Sequence, residues 1–443
     1  MTTTPLYDAL VAHKKLNRAS FHTPGHKNLG NILPLDLFAL DFTELPDTDS
    51  LYDANGSIRQ AEERAAELFG SKRTLFSAGG CTLCIQTMLK LTVPFGGKVI
   101  ASRMIHKSAV NTLALLNANV IWIVPQFDKN NGNFKQISAK QVEDALTDSP
   151  DVSCVYITSP DYFGNIADIK QISQACKKYQ VPLLVDNAHG SHLKFLSNDI
   201  HPITLGADLV ADSVHKTLPV LTGGALLHIA NEAFIEPAKA AMSVWGSTSP
   251  SYLIMTSIDI ATSWLRKNAK MAYLKLESEI ALIKRTAQKR GFSVPECSID
   301  PTRLALYSAQ LGFTGNEAAE YFREHGLEPE LSTCDSVVFI ATPMNTREDF
   351  DRLLYAIDEF PKKDFIFDRK PMFELSLAQK SLHEAFFGVA EMVDCPKAIG
   401  KISAATVCPC PPGIPILVPG EVVTKSAIQN LSYYGIKTIN VLK

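Results

Sequence analysis

From about residue 56 the sequence alternates two kinds of hydrophobic pattern. Apolar residues at helical spacing fill SIRQAEERAAELFG, closed by Gly70, then SAVNTLALLNA and IADIKQISQACKKYQ. Between them stand short apolar runs of strand length: KVIAS (98–102), VIWIV (120–124), VSCVYIT (152–158), VPLLVD (181–186), ADLVADS (207–213) and GGALLHIA. Apolar strands alternating with amphipathic helices predict an α/β unit, a mostly parallel sheet covered by helices on both faces. Such sheets bind ligands beyond the carboxyl ends of their strands. Asp186 and Ser213 fall at such ends.

The stretch SYLIMTSIDIATSWLRKNAKMAYLKLESEIALIKRTAQKR has neither proline nor glycine and predicts one long helix or two abutting ones, ending at Gly291. RLALYSAQ, NEAAEYFREHG, SVVFIAT and REDFDRLLYAIDEF then read as a β-α-β-α unit. PKKD (361–364) reads as a linker to a C-terminal segment rich in proline and apolar residues. The chain is thereby divided into an N-terminal arm (1–45), a large domain (46–290), a small domain (291–362) and a C-terminal domain (363–443). A length of 443 residues suits several packed units better than one core.

Composition removes several function classes. A net charge of -3 gives no reason to expect nucleic acid or a membrane surface as partner. No run approaches the roughly 20 apolar residues of a membrane span. The first twenty residues lack an apolar core with a small-residue cleavage site, and the nine cysteines are scattered, so a cytoplasmic chain with reduced thiols is expected. Cys81 and Cys84 have CxxC spacing, and Cys408 and Cys410 have CxC spacing. The pairs stand over 300 residues apart, unlike compact zinc sites, so no metal is expected.

Lys216 follows one strand end and Asp186 closes its neighbour. Together they suit pyridoxal 5′-phosphate: a lysine amine forms a Schiff base with the aldehyde, and a carboxylate keeps the ring nitrogen protonated. The Gly79-Gly80 turn leads into a helix whose first residues, Cys81 and Thr82, would meet the phosphate. If 213–215 is extended, Ser213 and His215 point one way and Lys216 the other; a strand ending at about 214 would let all three surround the cofactor. His106 follows another strand end and is a candidate plate over the ring. Of His189 and His192, one is expected to orient Asp186 and the other to pack.

The pieces FHTPGHK (21–27), GSIRQAEERAAELFG, IHKSAVNTLAL, DNAHGSH, SVHKTLP, STSPSYL (247–253) and PPGIPILVPGE (411–421), in this order, resemble the Orn/Lys/Arg decarboxylase family. The resemblance implies a fold-type I pyridoxal-phosphate-dependent enzyme without an N-terminal wing domain. It implies Lys216 as the Schiff-base lysine, Asp186 as the ring-nitrogen partner and His106 as the stacking ring. Ser213, His215, Gly80, Cys81, Thr82, Ala188 and His189 are implied to contact the cofactor or substrate. It also implies a homodimer with sites at the interface, where Thr248 and Ser249 reach the partner's phosphate. The sequence departs from the family pattern at Cys81, Leu83 and Cys84 of the phosphate turn, at Asn187, and at Cys410.

The implied reaction is α-decarboxylation of lysine, arginine or ornithine to a diamine or agmatine. The distal cation of such a substrate needs a carboxylate, and the candidates are Glu421, Asp161, Asp47 and Asp49. Two other readings stay open on the residues alone. One is another fold-type I enzyme, such as a lyase or an aminotransferase with Arg303 holding the substrate carboxylate. The other is a cofactor-binding homologue without catalysis. The assignment predicts that Lys216→Ala abolishes both turnover and the absorbance of the lysine-bound cofactor, as read by a spectrum of the purified protein.

Overall fold

Short aliphatic runs, buried on both faces, build the central sheet of this protein. The computed structural model describes residues 15–27, 39–45, 47–128, 133–296, 298–364, 374–409 and 415–443. Its seven strands are β1 (Arg73–Ser77), β2 (Lys98–Ser102), β3 (Asn119–Ile123), β4 (Cys154–Thr158), β5 (Leu183–Asp186), β6 (Leu209–Asp212) and β7 (Ala225–Ile229). They lie in the order β1-β7-β6-β5-β4-β2-β3. The run from β6 to β3 is parallel, while β7 is antiparallel to both β6 and β1. The sheet is thus mostly parallel, as the pattern predicts.

The sequence pattern does not reveal β1. Its first residue is a buried arginine, which reads as surface until its partner is known. Glu62, from helix α1 (Ser57–Phe69), places a carboxylate oxygen 2.6 Å from Arg73 and another 2.6 Å from Lys239. The buried ion cluster thereby fastens α1 to the sheet edge.

Helices cover both faces. Val99, Ala101 and Leu184 point to the side of α2 (Gly80–Thr92) and α3 (Lys107–Leu115). Ile100, Leu183 and Val185 point to the side of α4 (Ala139–Asp148) and α5 (Ile169–Lys178). Alternate residues of one strand face opposite cores, as the two-residue period requires. After β6 comes a single turn, α6 (Val214–Thr217), which carries Lys216.

The proline-free stretch is one helix, α7 (Tyr252–Arg290), of 39 residues and about 58 Å. It ends at Gly291, whose φ of 113° only glycine adopts at little cost. Its buried stripe, Met255, Ile258, Leu265, Tyr273, Ile280 and Ile283, joins the sheet to the small unit in one core. In that unit Arg303–Tyr307 and Ser336–Ile340 pair antiparallel. Further on, Ala390–Asp394 and Thr438–Leu442 pair around a separate core of Leu417, Val423, Leu431 and Val441.

The N-terminal segment 19–27 clasps these parts together. Ala19–Phe21 lies parallel to Leu327–Pro329. The Gly25 N–H donates to His215 O at 2.8 Å, and the Thr342 hydroxyl donates to Gly25 O at 2.8 Å. A Cβ at Gly25 would stand 2.5 Å from Leu218 O, so only glycine fits against α6. Lys27 is buried, and its amine donates to His22 O (2.6 Å) and Ile340 O (2.8 Å). Burial lowers its pKa to about 7 from 10.5, with Glu330 opposing. The unfolded chain therefore binds the extra proton, and stability contributed through this group rises with pH between about 7 and 10.5. Lys27→Met should flatten that rise, as measured by denaturant midpoints across the same pH range.

Candidate active site

The carboxyl ends of β1, β2, β4, β5 and β6 converge on a cavity of about 270 Å³. Gly80, Cys81, Thr82, His106, Ala188, His189, Ser213, His215, Asp186 and Lys216 all line it. Thr158, Asp161 and Tyr162 complete the wall on the β4 side. The residues expected to gather at one site from scattered stretches therefore lie together, with the exceptions described below.

Lys216 projects from α6 into the cavity. Its amine lies 2.9 Å from His189 Nε2 and 5.5 Å from the centre of the Tyr162 ring. Burial lowers its pKa, opposed by Cys81, Asp186 and Glu330. An amine in this state has a larger neutral fraction than a surface lysine, which a nucleophile requires. His189 accepts from Lys216; burial first, then the Lys216 and Arg303 charges, keep its imidazole neutral.

Asp186 ends β5 with its carboxylate buried. Its neighbours are weak donors: Cys81 Sγ at 3.9 Å, the Tyr156 hydroxyl at 3.4 Å and the Ala188 N–H at 3.1 Å. Burial raises its pKa, and the Lys216 charge opposes the rise. A desolvated carboxylate with only such donors has capacity left for a cationic N–H.

His106 is the N-cap of α3. Its Nδ1 accepts from the Ser108 N–H at 3.2 Å, so the ring proton sits on Nε2. Burial and the nearby Lys216 and Lys107 charges lower its pKa to about 4, leaving a neutral imidazole on the cavity wall. His215 Nδ1 is 3.0 Å from Gly224 O and 3.2 Å from Ser213 Oγ. The carbonyl requires a proton on Nδ1, which frees Nε2 as an acceptor.

The phosphate turn explains its own departures. Leu83 is buried in the core beneath the turn and does not line the cavity. Cys81 turns its thiol to Asp186, and Cys84 is buried as well. Burial raises both thiols, Cys84 to about 12. Thr82 is left as the exposed hydroxyl beside the amino end of α2, where free N–H groups and the helix dipole favour an anion.

Several expectations need correction. Residues 213–215 are not extended, because β6 stops at Asp212 and α6 begins at Val214; a helical turn brings Ser213, His215 and Lys216 to the cavity instead. Neither histidine orients Asp186: His189 meets Lys216, and His192 Nε2 lies 2.9 Å from Asp300. Glu421 does not line the cavity. Its carboxylate faces the Arg103 guanidinium at 3.0 Å and accepts the Val418 N–H at 2.9 Å. Asp49 caps α1 through the Gly56, Ile58 and Arg59 N–H groups, and Asp47 is exposed. Asp161 borders the cavity, but it holds its own turn through the Phe163 and Asn165 N–H groups and the Asn165 amide. Arg303 starts a strand, donates to His189 O at 3.2 Å and lies behind the cavity wall. Thr248 and Ser249 are exposed and lie outside the cavity lining. Cys410 falls outside the described residues.

The sequence reading missed Tyr156, Tyr162 and Glu330. The Tyr162 ring lies 4.2 Å from the His189 ring. Glu330 accepts the Thr23 N–H at 2.8 Å and faces the Tyr162 hydroxyl at 3.4 Å. Tyr156 carries the strand periodicity of β4, but no local signal marks Glu330, which comes from the small unit to stand behind Tyr162 without itself lining the cavity.

The fold and this strand-end constellation define a fold-type I pyridoxal-phosphate-type α/β enzyme. Sequence profiles for the Orn/Lys/Arg decarboxylase major domain and C-terminal domain match residues 4–292 and 364–438. The chain is 32% identical to the arginine decarboxylase of Bacillus subtilis, over 97% of this chain and 92% of that one. It is likewise 32% identical to the arginine decarboxylase of Halalkalibacterium halodurans, with the same coverage. The constitutive lysine decarboxylase of Escherichia coli superposes with a TM-score of 0.76 at 19% identity, covering 100% of this chain and 82% of that one. The chain belongs to the Orn/Lys/Arg decarboxylase family and is a decarboxylase.

If Glu421 serves structure, Glu421→Ala leaves the Arg103 guanidinium buried without its counter-ion. A loss of about 3–5 kcal/mol is expected in chemical denaturation. Replacing both partners, Arg103→Leu with Glu421→Leu, should recover most of it.

Proposed function

We propose that this chain removes the α-carboxylate of a basic amino acid, using pyridoxal 5′-phosphate held in the cavity described above. The observation that carries the reading is the pair of desolvated groups, the Lys216 amine and the Asp186 carboxylate, at neighbouring strand ends around one cavity. The residues present fit the cofactor. Asp186 lacks a strong cationic hydrogen-bond partner, the Thr158 hydroxyl in the wall has none among the described residues, and the amino end of α2 opens on the same space.

When bound, the cofactor supplies a conjugated ring able to take up the electron pair left as carbon dioxide departs. The protein's residues do the rest. Lys216 anchors the cofactor through its amine, and Asp186 holds the ring nitrogen in its protonated form. His106 offers a neutral imidazole as a stacking face. Thr82, Ser213, His215 and the α2 N–H groups hold the phosphate, with Gly80 and Cys81 forming the turn and Ala188 the wall. Once the carboxylate has gone, the α-carbon needs a proton. Lys216 and His189, 2.9 Å apart, are placed to carry one.

The distal cation of the substrate needs a carboxylate with unused capacity. Asp161, Asp49 and Glu421 are committed to turn, cap and ion pair. Among the described residues, one Glu330 oxygen is met only by the Tyr162 hydroxyl at 3.4 Å, and its charge acts on Lys27, Lys216 and His215. It is our candidate for the receiving group. A homodimer is part of the same reading, with the exposed Thr248 and Ser249 serving the partner's phosphate. So is a reducing cytoplasm, in keeping with the free thiols of Cys81, Cys84, Cys154 and Cys176.

Incubation with carboxyl-labelled arginine, lysine and ornithine tests the reaction. Labelled carbon dioxide is expected from at least one of them; keto-acid formation instead would establish an aminotransferase. Arginine is the first substrate to try, since two relatives at 32% identity are named arginine decarboxylases. Glu330→Gln should raise KM for the active substrate about 10- to 100-fold, the effect of losing a charged hydrogen bond of about 1.5–3 kcal/mol. Inhibition by a neutral straight-chain amino acid of similar length should not change.

A further inference from the structure

Behind the strand ends that carry Asp186 and Lys216 lies a second buried cluster. Asn187 and Asp212 turn away from the cavity, where Asp186 and Ser213 face it. The Asn187 amide donates to Asp212 Oδ1 at 2.6 Å. Asp212 Oδ2 stands 3.1 Å from His201 Nε2 and 3.4 Å from His228 Nε2. All four side chains are buried, and the Phe69 ring packs over both imidazoles.

Hydrogen bonding fixes the proton of one ring. His201 Nδ1 accepts the Ile203 N–H at 3.3 Å, so its proton sits on Nε2 and points at Asp212. His228 Nδ1 is 2.8 Å from the Thr74 hydroxyl, which lies 2.7 Å from the Ser71 hydroxyl. His228 Nε2 itself has no hydrogen-bond partner among the described residues and stands 3.4 Å from Asp212 Oδ2. The carboxylate thus takes two N–H donors, from Asn187 and His201, with the His228 ring close beside it. Three ligand-type atoms lie together here, and the Nε2 proton of His201 leaves that nitrogen no lone pair for a metal ion.

Asp212 is thus a buried carboxylate flanked by two imidazoles, with no arginine or lysine in contact among the described residues. Burial alone would raise its pKa, but the two histidines hold it below the usual carboxylate range. The other titratable groups that feel its charge are Asp186, Cys81 and Cys84 on the cavity side. Lys194 acts on the cluster through His228.

Resting on the cofactor reading above, we propose that Asp212 is a positioning residue for the cofactor's ring nitrogen. Through Asn187 it locks the Asp186 end of β5 to the β6 end that leads to Lys216. Its buried negative charge also favours the protonated nitrogen that Asp186 faces. The tie and the charge are separable. Asn187→Ala cuts the tie and keeps the charge; Asp212→Asn removes the charge.

The test uses the holoenzyme and follows the absorbance of bound pyridoxal phosphate against pH, together with its dissociation constant. A Coulomb interaction across several ångströms of protein predicts that Asp212→Asn lowers the pH midpoint of the spectral change by about one unit. Exchanging the pair, Asn187→Asp with Asp212→Asn, keeps a carboxylate in the same hydrogen bond and should return the midpoint toward wild type. Asn187→Ala should leave the midpoint in place and weaken cofactor binding about tenfold. A merely structural cluster would instead lower the melting temperature in all three variants with the midpoint and affinity unmoved, and that result overturns the proposal. Wild-type protein without any cofactor absorbance would overturn the cofactor reading itself.

Discussion

The molecule is organised around the cost of keeping an amine and a carboxylate dry at the carboxyl ends of two central strands. Neither Lys216 nor Asp186 is paid for by a direct ion pair with the other. Each is held by neutral or weak partners: His189 for the amine; a thiol, a phenol and a backbone N–H for the carboxylate. Such an arrangement is unfavourable by itself, and it persists because the sheet ends that carry the two groups are fixed from every side. Parallel pairing sets β5 against β6, α6 turns Lys216 inward, and Gly25 presses on that turn where no side chain would fit.

The structure separates two uses of buried charge. Where a charge serves architecture, it has full partners. Glu62 faces both Arg73 and Lys239, and Glu421 faces Arg103. Where a charge serves chemistry, the partners are incomplete. This contrast is what moves Glu421 out of the substrate site and brings Glu330 into consideration, although both are glutamates reaching the large unit from later parts of the chain.

The fold was legible because its signals are local. The strands from β2 to β7 follow from short apolar runs, α1, α3 and α5 from a period of 3.6 residues, and Gly291 marks the end of α7 by its backbone alone. β1 escaped because its arginine needs the distant Glu62 to be recognisable as buried. The site was legible where the residue sits at a strand end, as Lys216, Asp186 and His106 do. It was illegible where the role depends on side-chain direction. Cys81 and Leu83 look like lost phosphate donors in sequence, yet one turns to Asp186 and the other fills the core. Glu330 lies 114 residues beyond Lys216 (330 minus 216), and nothing in its neighbourhood predicts that the chain returns there.

The clasp made by residues 19–27 has a consequence for how the protein is born. Its contacts join the first part of the chain to to α6 and to Ile340 and Thr342 in the small unit. While the ribosome has made only the central sheet, the strand ends exist but the segment that presses on the Lys216 turn has nothing to close against. Capture of a ligand at those strand ends should therefore come late in biosynthesis, after the small unit has emerged.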